Sequence, residues 1–385
     1  MVRFLTAGDS HGPALVGILE GLPAHLKLDL DAVNAVLRRR QGGYGRGKRM
    51  QMESDEVEIL SGLWRGETTG MPLALQIQNR GAKKQETVRP RTVPRPGHAD
   101  LAGGYKYGWE EDLNPIIERS SARETAMRVA IGAICEQLLA QFEIEVLGFL
   151  RKLGGVDIPP KTTDPSELKV LREQSAFYSG NPAKDEELKR LVDKTREAGD
   201  SLGGVVEVIT TPLPPGLGSV AHFDRKLNAR LALHLMSIPS AKAVAIGDGV
   251  EGSAWPGSRF HDPILLENAT IKRASNHAGG IEGGMTNGQP LRVRVFLKPI
   301  PTLLQPMETV DLKNGRSTKA PYIRSDVVVV PAGSVVAEAL VAYVLTEAFL
   351  EKFGGDTLEE VQTAYRNYVK RLQKNKQALG LSTSK

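Results

Sequence analysis

"ERSSARETAMRVAIGAICEQLLAQF", residues 118–142, is the stretch from which the fold is read. It is apolar at helix length rather than strand length. Its small residues Ala126, Ala130, Gly132 and Ala133 permit a neighbouring element to approach closely. Cys135, the only cysteine of the chain, lies inside it and reads as a small core residue rather than a nucleophile. A single cysteine excludes an intramolecular disulfide and a multi-cysteine metal centre, and no metal is expected.

Outward from this helix, strands and helices mix without a regular βαβ alternation. "VRFLTAG" (2–8) and "PALVGILEGLP" (13–23) read as strands around a turn. "DLDAVNAVLRRRQ" (29–41) reads as a helix, with Asp31 near its start and arginines at its end to suit the helix dipole. "IEVLGFLRKLGGV" (144–156), "GGVVEVITTPLP" (203–214), "LRVRVFLKPIP" (291–301) and "SDVVVVP" (325–331) read as strands. "DRKLNARLALHLMSI" (224–238) and "SVVAEALVAYVLTEAFLEKF" (334–353) read as helices. The class is α+β. One domain spans 1–385, with a charged surface insertion near 160–200 and a C-terminal amphipathic helix near 356–378.

The totals, 385 residues with 41% apolar and 25% charged, are those of a globular chain. No apolar stretch is read as reaching the ~18 to 20 residues of a membrane span. No secretory h-region is read at the start, so the expected location is cytoplasmic, with no membrane partner. Net charge is only +5, but arginine is concentrated before residue 130, which points to one anionic site. "RRRQGGYGRGKRM" (38–50) is the densest part of it. Such a run suits either a nucleic-acid tail, its Tyr44 stacking on bases, or an ordered loop closing on a small polyanion. The ordered helix and strand patterns around it speak against nucleic acid.

Other motifs supply chemistry. "GDSHG" (8–12) places Ser10 and His11 in a Gly-flanked turn, where His11 can shuttle a proton near neutral pH. "PRPGHADL" (94–101) holds His98 in a proline-stiffened loop beside Arg95; Asp100 either orients the imidazole or caps the following turn. In "ERSSARET" (118–125), Ser120 and Ser121 can cap orphan N–H groups and so favour an anion, with Arg119 and Arg123 adding charge. The plainer reading pairs those arginines with Glu118 and Glu124. "SNHAGGIEGG" (275–284) carries His277, for which structural and ligand-facing roles stay equally open. "LKPIPT" (297–302) holds Lys298 before two prolines, and "YIRSD" (322–326) sets Arg324 near Asp326. There is no Walker A pattern and no G-x-G-x-x-G after a strand.

Taken in order, "GDSHG", "RRQGGYGRGKRM", "RPGHADL", "RSSARET", "NHAGGIEGG", "KPIPT" and "RSD" resemble the chorismate synthase family from end to end. The resemblance implies a β-α-β sandwich, with a helical core between antiparallel sheets. It also implies conversion of 5-enolpyruvylshikimate 3-phosphate to chorismate with loss of phosphate, in a homotetramer. The implied cofactor is reduced FMN without net redox change, with NADPH at most an indirect reductant and a separate flavin reductase as source. A flavin reductase oxidising NADPH is the alternative activity.

By the same resemblance Arg40, Arg46, Arg49, Arg123 and Ser10 hold substrate. Arg119, Ser120, Ser121, Pro239, Ser240, Gly283, Lys298, Pro299, Ile300, Pro301, Thr302 and Arg324 hold the flavin. His11 would protonate the departing phosphate, His98 would protonate or hold the reduced flavin, and Asp326 would assist proton removal. The chain departs from the family pattern at Ser240–Ala243, where relatives carry Ala-Val-Lys-Gly or similar, so side-chain contacts there are less expected than backbone ones.

Overall fold

The computed structural model describes residues 2–46, 55–82, 84, 87–322, 326–378 and 380–381. Within residues 118–142 the long helix starts only at Thr125: α4 (Thr125–Ala140) follows a single 3₁₀ turn at Ala122–Glu124. Residues up to Arg119 belong to a separate short helix, α3 (Asn114–Arg119). The single helix expected from residue 118 onward is thus a short helix, a 3₁₀ turn and a long helix in succession. Ser121 is extended, and its hydroxyl accepts from the Arg123 N–H at 3.3 Å. This local bond competes with helix continuation.

Two antiparallel sheets flank α4. The first has the order β1–β2–β6–β3, from β1 (Arg3–Ala7), β2 (Ala14–Glu20), β3 (Val57–Ser61) and β6 (Leu73–Gln78). A small hairpin, β4 (Leu63–Trp64) and β5 (Glu67–Thr68), interrupts it. The second has the order β10–β15–β9–β7–β8, from β7 (Val146–Leu153), β8 (Val156–Asp157), β9 (Gly204–Pro212), β10 (Ala241–Ile246) and β15 (Pro290–Leu297). Period-two patterning places one face of each inward: Leu15 and Leu19 on β2, and Leu291, Val293 and Val295 on β15, are buried.

Between the sheets lie α1 (Leu30–Gln41), α4, α7 (Leu227–Met236) and α10 (Val330–Phe353). The small residues do what their size suggests. A Cβ on Gly132 would stand 2.4 Å from the Ala339 backbone, so α4 and α10 touch main chain to main chain. A Cβ on Gly17 of β2 would meet the Met127 sulfur of α4 at 2.6 Å, and one on Gly148 of β7 would meet the Ser334 carbonyl of α10 at 2.4 Å. Sheet, helices and sheet thus form a β-α-β sandwich of the α+β class.

"SDVVVVP" is not a strand among its described residues: Val328 makes an isolated bridge to Leu202, and Val330 already begins α10. Pro331 sits in the first turn, where its fixed φ favours starting a helix. α10, with 24 residues and a stretch of mean hydropathy 1.6, is long and apolar enough to cross a membrane, contrary to the sequence expectation. Its apolarity is explained by the core, since 89% of that stretch is buried inside the protein.

The remaining elements lie outside this layer. They are α2 (Asp100–Tyr107), α5 (Pro165–Gln174), α6 (Asp185–Glu197), α8 (Gly249–Gly252), α9 (Gly257–Phe260), α11 (Leu358–Ala378) and three hairpins. The hairpins are β11 (Ile264–Glu267) with β12 (Thr270–Arg273), β13 (Ile281–Glu282) with β14 (Met285–Thr286), and β16 (Glu308–Asp311) with β17 (Arg316–Lys319). α5 and α6, within the charged 160–200 stretch, bury Leu168, Leu188 and Val192 beneath their polar faces.

Candidate active site

The turn between β1 and β2 requires glycine at its start. Gly8 has φ +121°, and a Cβ there would lie 2.6 Å from the Ala14 carbonyl. Asn79, just past β6, fixes the turn by donating from Nδ2 to the carbonyls of Asp9 (3.1 Å) and Gly12 (2.8 Å). Glu118 of α3 then grips His11 twice: Oε1 lies 2.8 Å from Nδ1, and Oε2 accepts the His11 backbone N–H at 2.7 Å. A carboxylate on Nδ1 fixes the imidazole tautomer and makes Nε2 the atom suited to proton exchange. The Ser10 N–H donates to the Glu118 carbonyl at 3.2 Å.

The arginines converge behind this turn. Arg40, in the last turn of α1, donates from Nε to Thr125 Oγ1 (3.0 Å) and from Nη2 to the Ala122 carbonyl (2.8 Å). Arg123 donates from Nε to Asn79 Oδ1 (2.9 Å) and from Nη1 to Asp55 Oδ2 (2.6 Å). Arg40 Nη1 is 3.8 Å from the same Asp55 oxygen. Arg46 donates from Nη1 to Asp326 Oδ2 at 2.6 Å. Burial pulls Arg40 down to about 10; Asp55 opposes the shift, while the positive fields of Arg46 and Arg123 add to it. Arg40 Nη1 and Arg46 Nε are buried with no hydrogen-bond partner among the described residues. Buried N–H groups left unfilled are costly, and an oxyanion would satisfy them. Arg49 and Arg324 lie outside the described residues.

His98 is held in the same manner as His11. Its Nδ1 lies 2.5 Å from Asp100 Oδ1, so of the two roles open for Asp100 the structure has the orienting one. Arg95 braces the pair from Nε to Asp100 Oδ2 (2.8 Å) and from Nη2 to Oδ1 (3.0 Å). Burial pushes the Asp100 carboxyl up, but hydrogen bonds from His98 and Arg95 outweigh it and hold the group far below the usual carboxylate range. The preceding Gly97 carbonyl accepts Lys298 Nζ at 2.6 Å. The Lys298 N–H in turn donates to the Ser240 carbonyl at 2.9 Å. Ser240 has φ +75°, a left-handed backbone that strains a serine. Gly103 of α2 meets Ile116 of α3, so the helix starting at Asp100 packs on the helix bearing Glu118 and Arg119.

The sequence model of the chorismate synthase family matches residues 2–350. A chorismate synthase of Geotalea daltonii is 47% identical, over 97% of this chain and 100% of its own length. One of Carboxydothermus hydrogenoformans is 48% identical, over 96% and 98%. The chain belongs to the chorismate synthase family. A crystal structure of a chorismate synthase is similar with a TM-score of 0.80 and 42% identity, covering 96% of this chain and 98% of that one. The activity is the family's lyase step in the shikimate pathway: phosphate leaves 5-enolpyruvylshikimate 3-phosphate and chorismate is formed. Enzymes of this family need reduced flavin.

The structure gathers Arg40, Arg46, Arg123 and Asp326 into one group, to which Asn79 ties the turn bearing His11, and gathers His98, Lys298, Pro301 and Ser240 into a second. A Cβ on Gly97 would lie 3.4 Å from Lys298 Nζ and 3.5 Å from Pro301 Cβ. The Ile300 carbonyl is fixed by Ser201 Oγ at 2.7 Å. Ser121 caps the 3₁₀ turn as expected, whereas the Ser120 hydroxyl donates back to the Ile116 carbonyl at 2.6 Å. Arg119 is half exposed, 3.9 Å from Glu124. Gly283 (φ +60°) stands apart at the β13–β14 turn, beside the start of α7, while Pro239 and Ser240 follow that helix's end. Ten helical residues, about 15 Å, separate the two.

His277 lies with Nδ1 2.7 Å from Asp248 Oδ2 and its ring edge-on to Trp255. Sequence reasoning missed Asp55, Asn79 and the role of Glu118. Glu118 stands in a quoted motif, but there only the plainer reading gives it a role, as an arginine partner.

Proposed function

We propose that Arg40, Arg46 and Arg123, with Arg49 and Ser10, hold the phosphate and carboxylates of 5-enolpyruvylshikimate 3-phosphate. The observation that carries this reading is the convergence of these arginines, with Arg40 Nη1 and Arg46 Nε buried and without a hydrogen-bond partner among the described residues. In water-poor surroundings such donors stabilise charge developing on a departing oxyanion. His11, its Nδ1 held by Glu118, delivers a proton from Nε2 to the leaving phosphate. His98, oriented by Asp100, holds a proton at the flavin end of the site. Asp326 shares its carboxylate with Arg46 and assists removal of the substrate's ring proton.

FMN is the flavin in this reading. The group formed by Lys298, the Gly97 carbonyl and the strained Ser240 backbone fits a phosphate-bearing ligand with polar ring edges, since it offers a cation together with main-chain donors and acceptors. Pro239, Pro299, Ile300, Pro301, Thr302, Arg119, Ser120, Ser121 and Arg324 complete the proposed flavin contacts at this end, while Gly283, at the opposite end of α7, would meet only the far end of the ligand. When bound in its reduced state, the flavin supplies electron density to the substrate as the allylic phosphate departs. A separate flavin reductase provides the reduced state, with NADPH acting only through it. A homotetramer and a cytoplasmic location belong to the same reading.

The test is anaerobic phosphate release from 5-enolpyruvylshikimate 3-phosphate with dithionite-reduced or oxidised FMN. Stoichiometric release with reduced FMN alone is the expected result. Equal release with oxidised FMN would overturn the cofactor assignment, and rapid NADPH oxidation with FMN alone would overturn the separate reductase.

A further inference from the structure

The stretch "GGYGR" (42–46) leads from the end of α1 to Arg46, and of its residues before Arg46 only Tyr44 has a side chain, the others being glycine. The backbone needs the glycines. Gly43 (φ +92°) and Gly45 (φ +90°) are left-handed, and a Cβ on Gly42 would fall 2.3 Å from the Tyr178 hydroxyl. Glycine gives the loop this shape but no hold on its surroundings.

Tyr44 supplies the hold, and the 160–200 segment receives it. The Tyr44 N–H donates to the Ala176 carbonyl at 2.8 Å. Its ring leans on Phe177 (5.3 Å between centroids), and the Arg196 guanidinium lies 5.9 Å over it. Its hydroxyl reaches both oxygens of Asp193 on α6, at 2.9 and 2.8 Å. On the other side, the Gly45 carbonyl accepts the Val327 N–H at 3.1 Å, next to the Asp326 that pairs with Arg46. The loop is therefore gripped from both sides within two residues of Arg46.

We infer that Tyr44, through its hydroxyl bond to Asp193, is a positioning residue for Arg46, and that α6 acts as a clamp on the anion-binding loop. The inference rests on the reading of Arg46 as a substrate ligand. Without the hydroxyl bond, the Gly-flanked loop samples more conformations, and ordering it becomes part of the cost of substrate binding.

The experiment compares Tyr44→Phe, Asp193→Ala, Arg46→Ala and the Tyr44→Phe/Arg46→Ala double variant under anaerobic turnover with reduced FMN. Tyr44→Phe and Asp193→Ala should each raise KM for 5-enolpyruvylshikimate 3-phosphate about 5- to 30-fold. Neither should move kcat by more than about 2-fold if the group acts on binding alone. Tyr44→Phe should add nothing in the Arg46→Ala background, since a residue acting through Arg46 has nothing left to position. A full additional rise there would overturn the inference and mark Tyr44 as a general stabiliser. If Arg46→Ala raises KM and Tyr44→Phe does not, the inference alone fails. If Arg46→Ala leaves KM unchanged, the reading of Arg46 as a ligand fails, and the inference with it.

Discussion

His11 and His98 are each tied through Nδ1 to a carboxylate, but the two carboxylates come from different distances along the chain. His98 uses Asp100, two residues on, at 2.5 Å. His11 uses Glu118, 107 residues away, at 2.8 Å. That difference explains what could be read from the sequence: "GHAD" displays its pair, whereas nothing near "GDSHG" names its partner. Asp55 and Asn79 escaped for the same reason, as both act on Arg123 across 68 and 44 residues. If His11 is a general acid, His11→Ala should lower kcat ~10²- to 10⁴-fold with flavin saturating. Glu118→Gln keeps the shape but loses the charge that supports an imidazolium, so its loss should be smaller and should change the pH profile of kcat. Near-normal turnover of His11→Ala would remove the residue from the mechanism.

At the scale of elements, one carboxylate joins three of them to its own helix. Glu338 of α10, 2% exposed, pairs with Arg39 of α1 and accepts from Arg172 of α5 (2.7 Å) and from the Gly148 N–H of β7 (2.5 Å). Because Arg39 adjoins Arg40, the same contact sets the register of the helix end that enters the arginine group. α10 gave no hint of this in sequence, because a helix buried on all sides has no polar stripe against which a buried Glu stands out. The break at 120–124 was equally hidden, since Ser and Arg are tolerated inside helices and only Ser121's local bond decides. Glu338→Ala leaves the part-buried Arg39 and the buried Arg172 with the half-exposed Glu173 as their remaining ion-pair partner, and should cost ~3–5 kcal/mol in denaturant unfolding. Nearby Glu136 of α4 is pushed up to about 8 by burial, with the negative field of Glu338 adding. A carboxyl whose folded value lies above its ordinary 4.5 contributes stability at low pH and loses it as pH rises from there towards 8. Glu136→Gln cannot ionise, so its stability relative to the native chain should grow between pH 5 and pH 8. A constant difference across that range would refute the shift.

For the whole molecule, alternating strands and long apolar helices were enough to give the class, because layer architecture follows from which faces are apolar. They could not give the outer surfaces, where apolar residues have no covering partner among the described residues. Two such surfaces stand out. The outward face of β1 and β2 exposes Leu5, Val16 and Ile18, and the β11–β12 hairpin exposes Ile264, Leu265, Leu266 and Ile271. Contiguous apolar surface of this kind marks contact regions in folded proteins. A closed tetramer of dihedral symmetry needs at least two different self-complementary interfaces, and two separate apolar surfaces would supply them. The proposed homotetramer therefore predicts a single four-chain species by light scattering at micromolar concentration. Leu5→Lys/Ile18→Lys and Leu266→Lys/Ile271→Lys should each reduce it to dimers by opening one interface, and together they should give monomers. A monomeric native protein would end the tetramer reading, and native-like tetramers of both variants would move the interfaces away from these surfaces.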